Sequence, residues 1–235
     1  LIEQLVDLGI VPILTGITHR ADSAAADLWV PSYNAAIRGM AQSWQIPFID
    51  LFEATEDLDG YGLSGDGLHL NGYSGGACLL SAEGLDYGYN VRNLIVLEAF
   101  DRARRVVSGG EEQLDPGQPP LEGDGSPESP FLITSLPFAD SRSTLDSAHS
   151  NLDIYTGCAS SSDESGPEFL YRLDLTDDTA VRALVLDRDG VDIDVHLLRS
   201  GGTGADCVDR GHHRVEIPLE AGTWLFSLDT WVDDG

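Results

Sequence analysis

Ile46-Pro47-Phe48-Ile49-Asp50-Leu51 is a short apolar run, followed by a glycine-rich loop that carries Asp66-Gly67-Leu68-His69-Leu70-Asn71. A run of that length reads as a strand buried on both faces, as in a parallel sheet. A second such run, Ile10-Val11-Pro12-Ile13-Leu14, lies upstream. Around the two, apolar residues recur at helical spacing. Leu1, Leu5 and Leu8 mark one helix, with Gly9 as its C-cap. Ala35, Ala36, Ile37, Met40 and Trp44 mark another over 32–45. Leu94 and Leu97 mark a third over 90–107, with a basic end at Arg102, Arg104 and Arg105. Helices alternating with buried strands predict an α/β layered fold. Open α/β sheets bind ligands beyond the carboxyl ends of their strands, where the 66–71 loop is expected.

Within that loop a carboxylate precedes an imidazole by three residues. If the loop turns like one helical turn, Asp66 and His69 face each other. The carboxylate then holds one ring nitrogen's proton and leaves the other nitrogen free as a base. That is the orienter-and-base half of a hydrolytic triad.

With the segments VPILTGI, IPFIDLF and LSGDGLHLN in this order, residues 1–108 resemble the C-terminal half of an SGNH (GDSL-type) hydrolase. The resemblance implies a flavodoxin-like three-layer α/β fold, His69 as general base and Asp66 as its orienter. It also implies a Ser nucleophile in a Gly-Asp-Ser block and Gly and Asn oxyanion donors, none of which this sequence contains. The chain opens mid-helix at Leu1 and is expected to be a fragment whose N-terminal half is missing. Gly72-Tyr73-Ser74-Gly75-Gly76 fits the G-x-S-x-G elbow pattern. An elbow needs a strand before it and a helix after it. A loop precedes this one, so a tight glycine turn is expected instead.

Thirteen Arg, no Lys and forty acids give a formal charge of -27. Such a field repels nucleic acid and anionic membranes. No apolar run reaches the length of a bilayer span. Residues 109–130 (GGEEQLDPGQPPLEGDGSPESP) are Gly, Pro, Ser and acid, and are expected to be a linker. Before it, 6 Arg face 14 acids, a net of -8; from residue 109 onward, 7 Arg face 26 acids, a net of -19.

Past the linker the apolar period becomes two. Phe169–Leu175, Val191–Leu197 and Arg214–Leu219 alternate, with Asp192, Asp194 and His196 on the polar face of the second, and Thr223–Leu228 reads as another strand. Turns at Asp177-Asp178, Asp189-Gly190 and Ala221-Gly222 complete the pattern of a β-sandwich. On SLPFADS, SGPEFLYRLDL, GVDIDVHLL and AGTWLFSLDT, residues 131–235 resemble the bacterial pre-peptidase C-terminal domain. That is an all-β, jelly-roll-like module of secreted enzymes, and against its pattern the chain is expected to lack a closing strand. In an exported protein, Cys158 and Cys207, both in polar loops, are expected to form a disulfide. Cys78 is left to pair with a cysteine outside this sequence or to fill a buried position. Asp187, Asp189, Asp192 and Asp194 lack EF-hand spacing, so calcium is not favoured and no cofactor is expected. His212-His213 follow Gly211 in a turn without a recognised ligand pattern.

The combined expectation is part of a secreted bacterial ester hydrolase acting on an acylated polysaccharide, a lipid or a small ester. The competing expectation is a non-catalytic extracellular binding or surface-anchoring module with a degenerate hydrolase part. A Gly-Asp-Ser block upstream, with matching Gly and Asn blocks, separates the two.

Overall fold

The computed structural model describes residues 1–109, 121–187 and 191–231. They fall into two compact units: 1–109 with 139–141, and 121–138 with 142–187 and 191–231.

The first unit mixes helices with one small parallel sheet. Its elements are α1 (Ile2–Asp7), β1 (Leu14–Thr15), α2 (Ala24–Asp27), α3 (Val30–Trp44), β2 (Phe48–Ile49), α4 (Leu51–Glu56) and α5 (Gly88–Gly109). Gly9 ends α1 at φ +72°, with its N–H on the Val6 carbonyl. β1 and β2 pair in parallel, Leu14 against Phe48 and Thr15 against Ile49. Both strands are shorter than the apolar runs that predict them. Leu51 belongs to α4, because Asp50 caps that helix by accepting the Glu53 N–H. Ile10 and Val11 are each 48% exposed, not buried on both faces, since the sheet has only two strands among the described residues. The apolar core is correspondingly small: Val30, Ala41, Ile49, Leu51, Leu70 and Ala99. Side-chain amides supplement it. Buried Asn34 on α3 accepts the Ile17 N–H at 2.8 Å and donates to the Ile17 carbonyl at 2.9 Å, fixing the chain that leaves β1.

The second unit contains β3 (Phe131–Ile133), β4 (Phe169–Leu175), β5 (Thr179–Leu184), β6 (Ile193–Arg199), β7 (Cys207–Gly211), β8 (Arg214–Leu219) and β9 (Gly222–Thr230). Five strands form a sheet in the order β3-β4-β9-β6-β7, and β5 pairs with β8 in a second sheet. The two sheets share one apolar core. Phe131, Tyr171, Val195, Leu197 and Phe226 come from the larger sheet, Val181, Val215 and Leu219 from the smaller. β3, β5 and β7 have no counterpart in the alternating runs. The expected turn at Asp189-Gly190 lies outside the described residues.

Two expectations are corrected here. Residues 121–130 belong to this unit rather than to a linker running through 109–130: the Gly125 carbonyl accepts the Leu170 N–H, and the Glu122 carbonyl accepts the Leu132 N–H. The polar side of β6, which the alternation alone would leave open to water, is solvated only in part: Asp192 is half-exposed, Asp194 is largely covered and His196 is fully buried. The irregular segment 142–168 covers that face, setting Leu152 and Tyr155 against Leu170, Leu198, Cys207 and Leu225 of the sheet. Cys158 and Cys207 are bridged, with Cα atoms 5.2 Å apart, which ties the segment to β7. Cys78 is free and exposed, so it fills no buried position. No helix among the described residues is long and apolar enough to cross a membrane.

Beneath the covering segment sits a polar tie. The Tyr155 hydroxyl meets Ser227 Oγ at 2.9 Å and the Asp229 carboxyl, and all three side chains are fully buried. Burial pushes the Asp229 carboxyl up to about 9. The native state therefore keeps a proton that the unfolded chain releases near 3.8, and stability falls as pH rises through that window. Glu164 and Glu168 are raised in the same direction, chiefly by burial.

The urea midpoint of this unit is expected to drop from about pH 5 to about pH 9 in the parent chain. Asp229→Asn, which keeps an acceptor for the Thr230 N–H, is expected to flatten that slope. Cys158→Ser is expected to cost about 2–4 kcal/mol in the same measurement, from the lost constraint on a loop of 49 residues.

Candidate active-site loop

Gly62, Gly67 and Asn71 shape the loop that presents His69. Leu63 and Leu70 form an antiparallel bridge, and the Ser64 N–H donates to the His69 carbonyl at 2.7 Å. At the tip Gly67 adopts φ +69°, and its carbonyl accepts the Asp22 N–H at 3.1 Å. A β-carbon there would lie 2.7 Å from Asp22 N and 2.9 Å from the Ala21 carbonyl carbon. Glycine is thus needed for both conformation and space. This contact joins the loop to the segment leaving the carboxyl end of β1. At the other end, Asn71 Oδ1 accepts the Gly88 N–H at 2.7 Å, satisfying an otherwise orphan donor at the start of α5.

Asp66 and His69 meet as their spacing predicts. His69 Nδ1 lies 2.7 Å from Asp66 Oδ2. A carboxylate only accepts, so Nδ1 carries the proton and Nε2 of the neutral ring presents a lone pair. Nε2 has no hydrogen-bond partner among the described residues. The other carboxylate oxygen, Oδ1, accepts from Ser64 Oγ at 2.6 Å and from the Leu68 and His69 N–H groups at 3.0 Å each. The Ser64 bond first, then the His69 ring and the two amides, hold the Asp66 carboxyl far below the usual carboxylate range. Both side chains are exposed, His69 by 66%. An imidazole oriented by a carboxylate that favours its ionised form, with Nε2 open, can accept and return a proton.

No nucleophile accompanies it among the described residues. Ser64 donates to Asp66, not to His69. Ser74 lies in a turn with no strand before it and no helix directly after it, so it is not on an elbow.

Three further histidines have environments that no motif announces. His19 Nδ1 faces Asp27 at 3.0 Å and Nε2 faces Glu56 at 2.9 Å, while the ring stacks on Tyr61 at 3.8 Å between centroids. With both nitrogens on carboxylates, His19 is a structural clasp rather than a base. Its partners stand 8 and 37 residues away, beyond any local pattern. In the β unit, His212 Nδ1 lies 2.8 Å from Asp192 and 3.1 Å from Asp194, and His213 lies 3.9 Å from Asp187. The bond to Asp194, reinforced by the charges of Asp192 and Asp187, raises the His212 pKa. The turn thus does gather possible metal ligands, though His212 is already paired with two carboxylates.

No family model matches this chain, and neither a curated protein nor a solved structure matches it.

In a carboxyl-detected NMR titration, Asp66 is expected to remain ionised at about pH 3, where an ordinary Asp is mostly protonated. Ser64→Ala is expected to move its titration toward the ordinary range, because it removes the strongest of the four donors.

Proposed function

We propose that this chain carries the base-and-orienter half of a secreted SGNH (GDSL)-type ester hydrolase, joined to a jelly-roll-like module of the pre-peptidase C-terminal type. The observation that supports it is the 2.7 Å bond from His69 Nδ1 to an Asp66 held ionised by four donors, with Nε2 open to solvent. The order of the quoted sequence blocks is the second support. The disulfide and the acidic surface suit an extracellular setting.

In this reading the nucleophile is a serine on sequence not contained here. Its hydroxyl proton passes to His69 Nε2 as Oγ attacks the ester carbonyl carbon. The imidazolium, steadied by Asp66, returns that proton to the departing alkoxide oxygen, leaving an acyl-serine. Water then gives a proton to Nε2, attacks the acyl carbon and releases the acid, and the proton returns to the serine. Asp66 stays ionised throughout and fixes the tautomer.

The test is ester hydrolysis by the chain joined to the coding sequence upstream of Leu1. Turnover of p-nitrophenyl acetate is expected, falling by about 10³-fold or more in His69→Ala and less in Asp66→Asn. Residues 1–235 alone are expected to be inactive, with Ser74→Ala making no difference. Upstream sequence without a Gly-Asp-Ser block, or turnover that survives His69→Ala, would overturn the reading in favour of a non-catalytic binding module.

A further inference from the structure

His196 is the one fully buried histidine among the described residues, and both of its ring nitrogens lack a hydrogen-bond partner there. Its ring lies flat on Tyr155, 3.5 Å between centroids and 6° between planes. Tyr155 cannot serve it, because the phenol oxygen is committed to Ser227 and Asp229. A neutral imidazole offers one donor and one acceptor, and native interiors rarely leave both unmet. Two carboxylates stand beside the ring instead. One ligand atom each from His196, Asp194 and Glu164 lies within 4.8 Å of the others, and Glu164 is only 5% exposed. The two acids come from different places: Asp194 from β6, two residues before His196, and Glu164 from the covering segment.

We infer that this face of the five-stranded sheet holds a divalent first-row transition ion, zinc by its donor set, bound by His196, Asp194 and Glu164. One imidazole and two carboxylates match the charge of a dication. The imidazole favours such an ion over calcium, which takes oxygen ligands alone. Zinc bonds of about 2.0–2.2 Å set tetrahedral ligand atoms roughly 3.4 Å apart, so three atoms now within 4.8 Å of one another close in on binding. The ion would join the covering segment to β6, at a distance along the chain from the Cys158–Cys207 bridge, so its role is structural.

Arg210 is the competing cation. Its Nη1 sits 3.5 Å from Glu164 and 3.9 Å from Asp194, longer than a strong charge-assisted bond, and it donates to Ser160 Oγ at 2.5 Å. The guanidinium therefore flanks the two carboxylates, of which Asp194 also faces His212 Nδ1 at 3.1 Å, and it leaves both nitrogens of His196 without a partner. The outer group of Asp192, Asp194 and His212 is a different case. There the imidazole already has carboxylate partners at 2.8 and 3.1 Å, and it is exposed.

The test is zinc titration of tag-free, EDTA-stripped chain by calorimetry, with thermal melts alongside. One zinc per chain is expected, with a higher melting temperature when loaded. Glu164→Gln and His196→Gln are each expected to weaken binding by at least about tenfold. Glu164→Gln keeps the reading testable if His196→Gln fails to fold. Arg210→Ala, which removes the competing charge, is expected to tighten binding severalfold, while the double change His212→Ala with His213→Ala, which removes only the outer imidazoles, does not abolish it. Cobalt in place of zinc is expected to show the visible bands of a low-coordinate nitrogen–oxygen site. The inference is overturned if no zinc binds, if binding survives Glu164→Gln undiminished, or if it is lost only with His212 and His213. It stands independently of the ester-hydrolase reading, whose residues lie in the other unit.

Discussion

Every bond that Asp66 accepts comes from within its own loop. Ser64, Leu68 and His69 converge on it from both sides of the Gly67 turn, so one carboxylate sets the backbone of 64–69 and the angle of the imidazole together. Little else in the first unit could do so. Its apolar core is small, and the two paired strands contribute two residues each. Position comes instead from polar side chains that bind backbone: Asn34 on Ile17, Asn71 on Gly88, and Asn90 on the Gly76 and Leu79 carbonyls. These bonds are directional where apolar contacts are not. That matters for a group that must place a single nitrogen.

The β unit distributes its polarity differently. Its inner face is an ordinary apolar core, whereas between its outer face and the irregular segment Tyr155 and Glu168 of the segment are buried with His196, Ser227 and Asp229 of the sheet. A buried polar group without a partner is destabilising, and one with a partner is specific. Tyr155, Ser227 and Asp229 satisfy one another. Glu168 gives one oxygen to the Asn151 N–H and leaves the other unmatched, and His196 leaves both nitrogens unmatched. The segment 142–168 is thus located by a polar tie and a disulfide, with an apolar cluster around them.

What could be read from the sequence follows the range of the interaction. Asp66 and His69 are three residues apart, so their meeting was legible from spacing. Gly9 as a helix stop and the strand over Phe169–Leu175 are local in the same sense. The Cys158–Cys207 bridge was legible from the polar loops around the two cysteines. His19 was not, since its second carboxylate is 37 residues distant. Alternation in β6 correctly divided Val195 and Leu197 from Asp194 and His196. Period two cannot say whether the second face meets water, and the segment that covers it has no period of its own. Ile10 and Val11 failed for the converse reason: an apolar run states what a strand could bury, not whether a neighbour is there to bury it.

The placement of β9 has a consequence for how the chain is made. It is the last strand among the described residues but the central one in space, hydrogen-bonded to β4 on one side and β6 on the other. Synthesis from the N-terminus therefore produces two half-sheets, β3-β4 and β6-β7, each with an open edge. The Cys158–Cys207 ring encloses β4 and β6 but not β9, so a bridge closed early would hold both edges in one loop with an empty slot between them. Completion waits on the final strand, through contacts distant along the chain, the class of topology that folds slowly. A nascent chain stalled before Gly222 would carry two sticky edges and most of the net negative charge. That charge gives the unfinished module repulsion against its neighbours on crowded ribosomes.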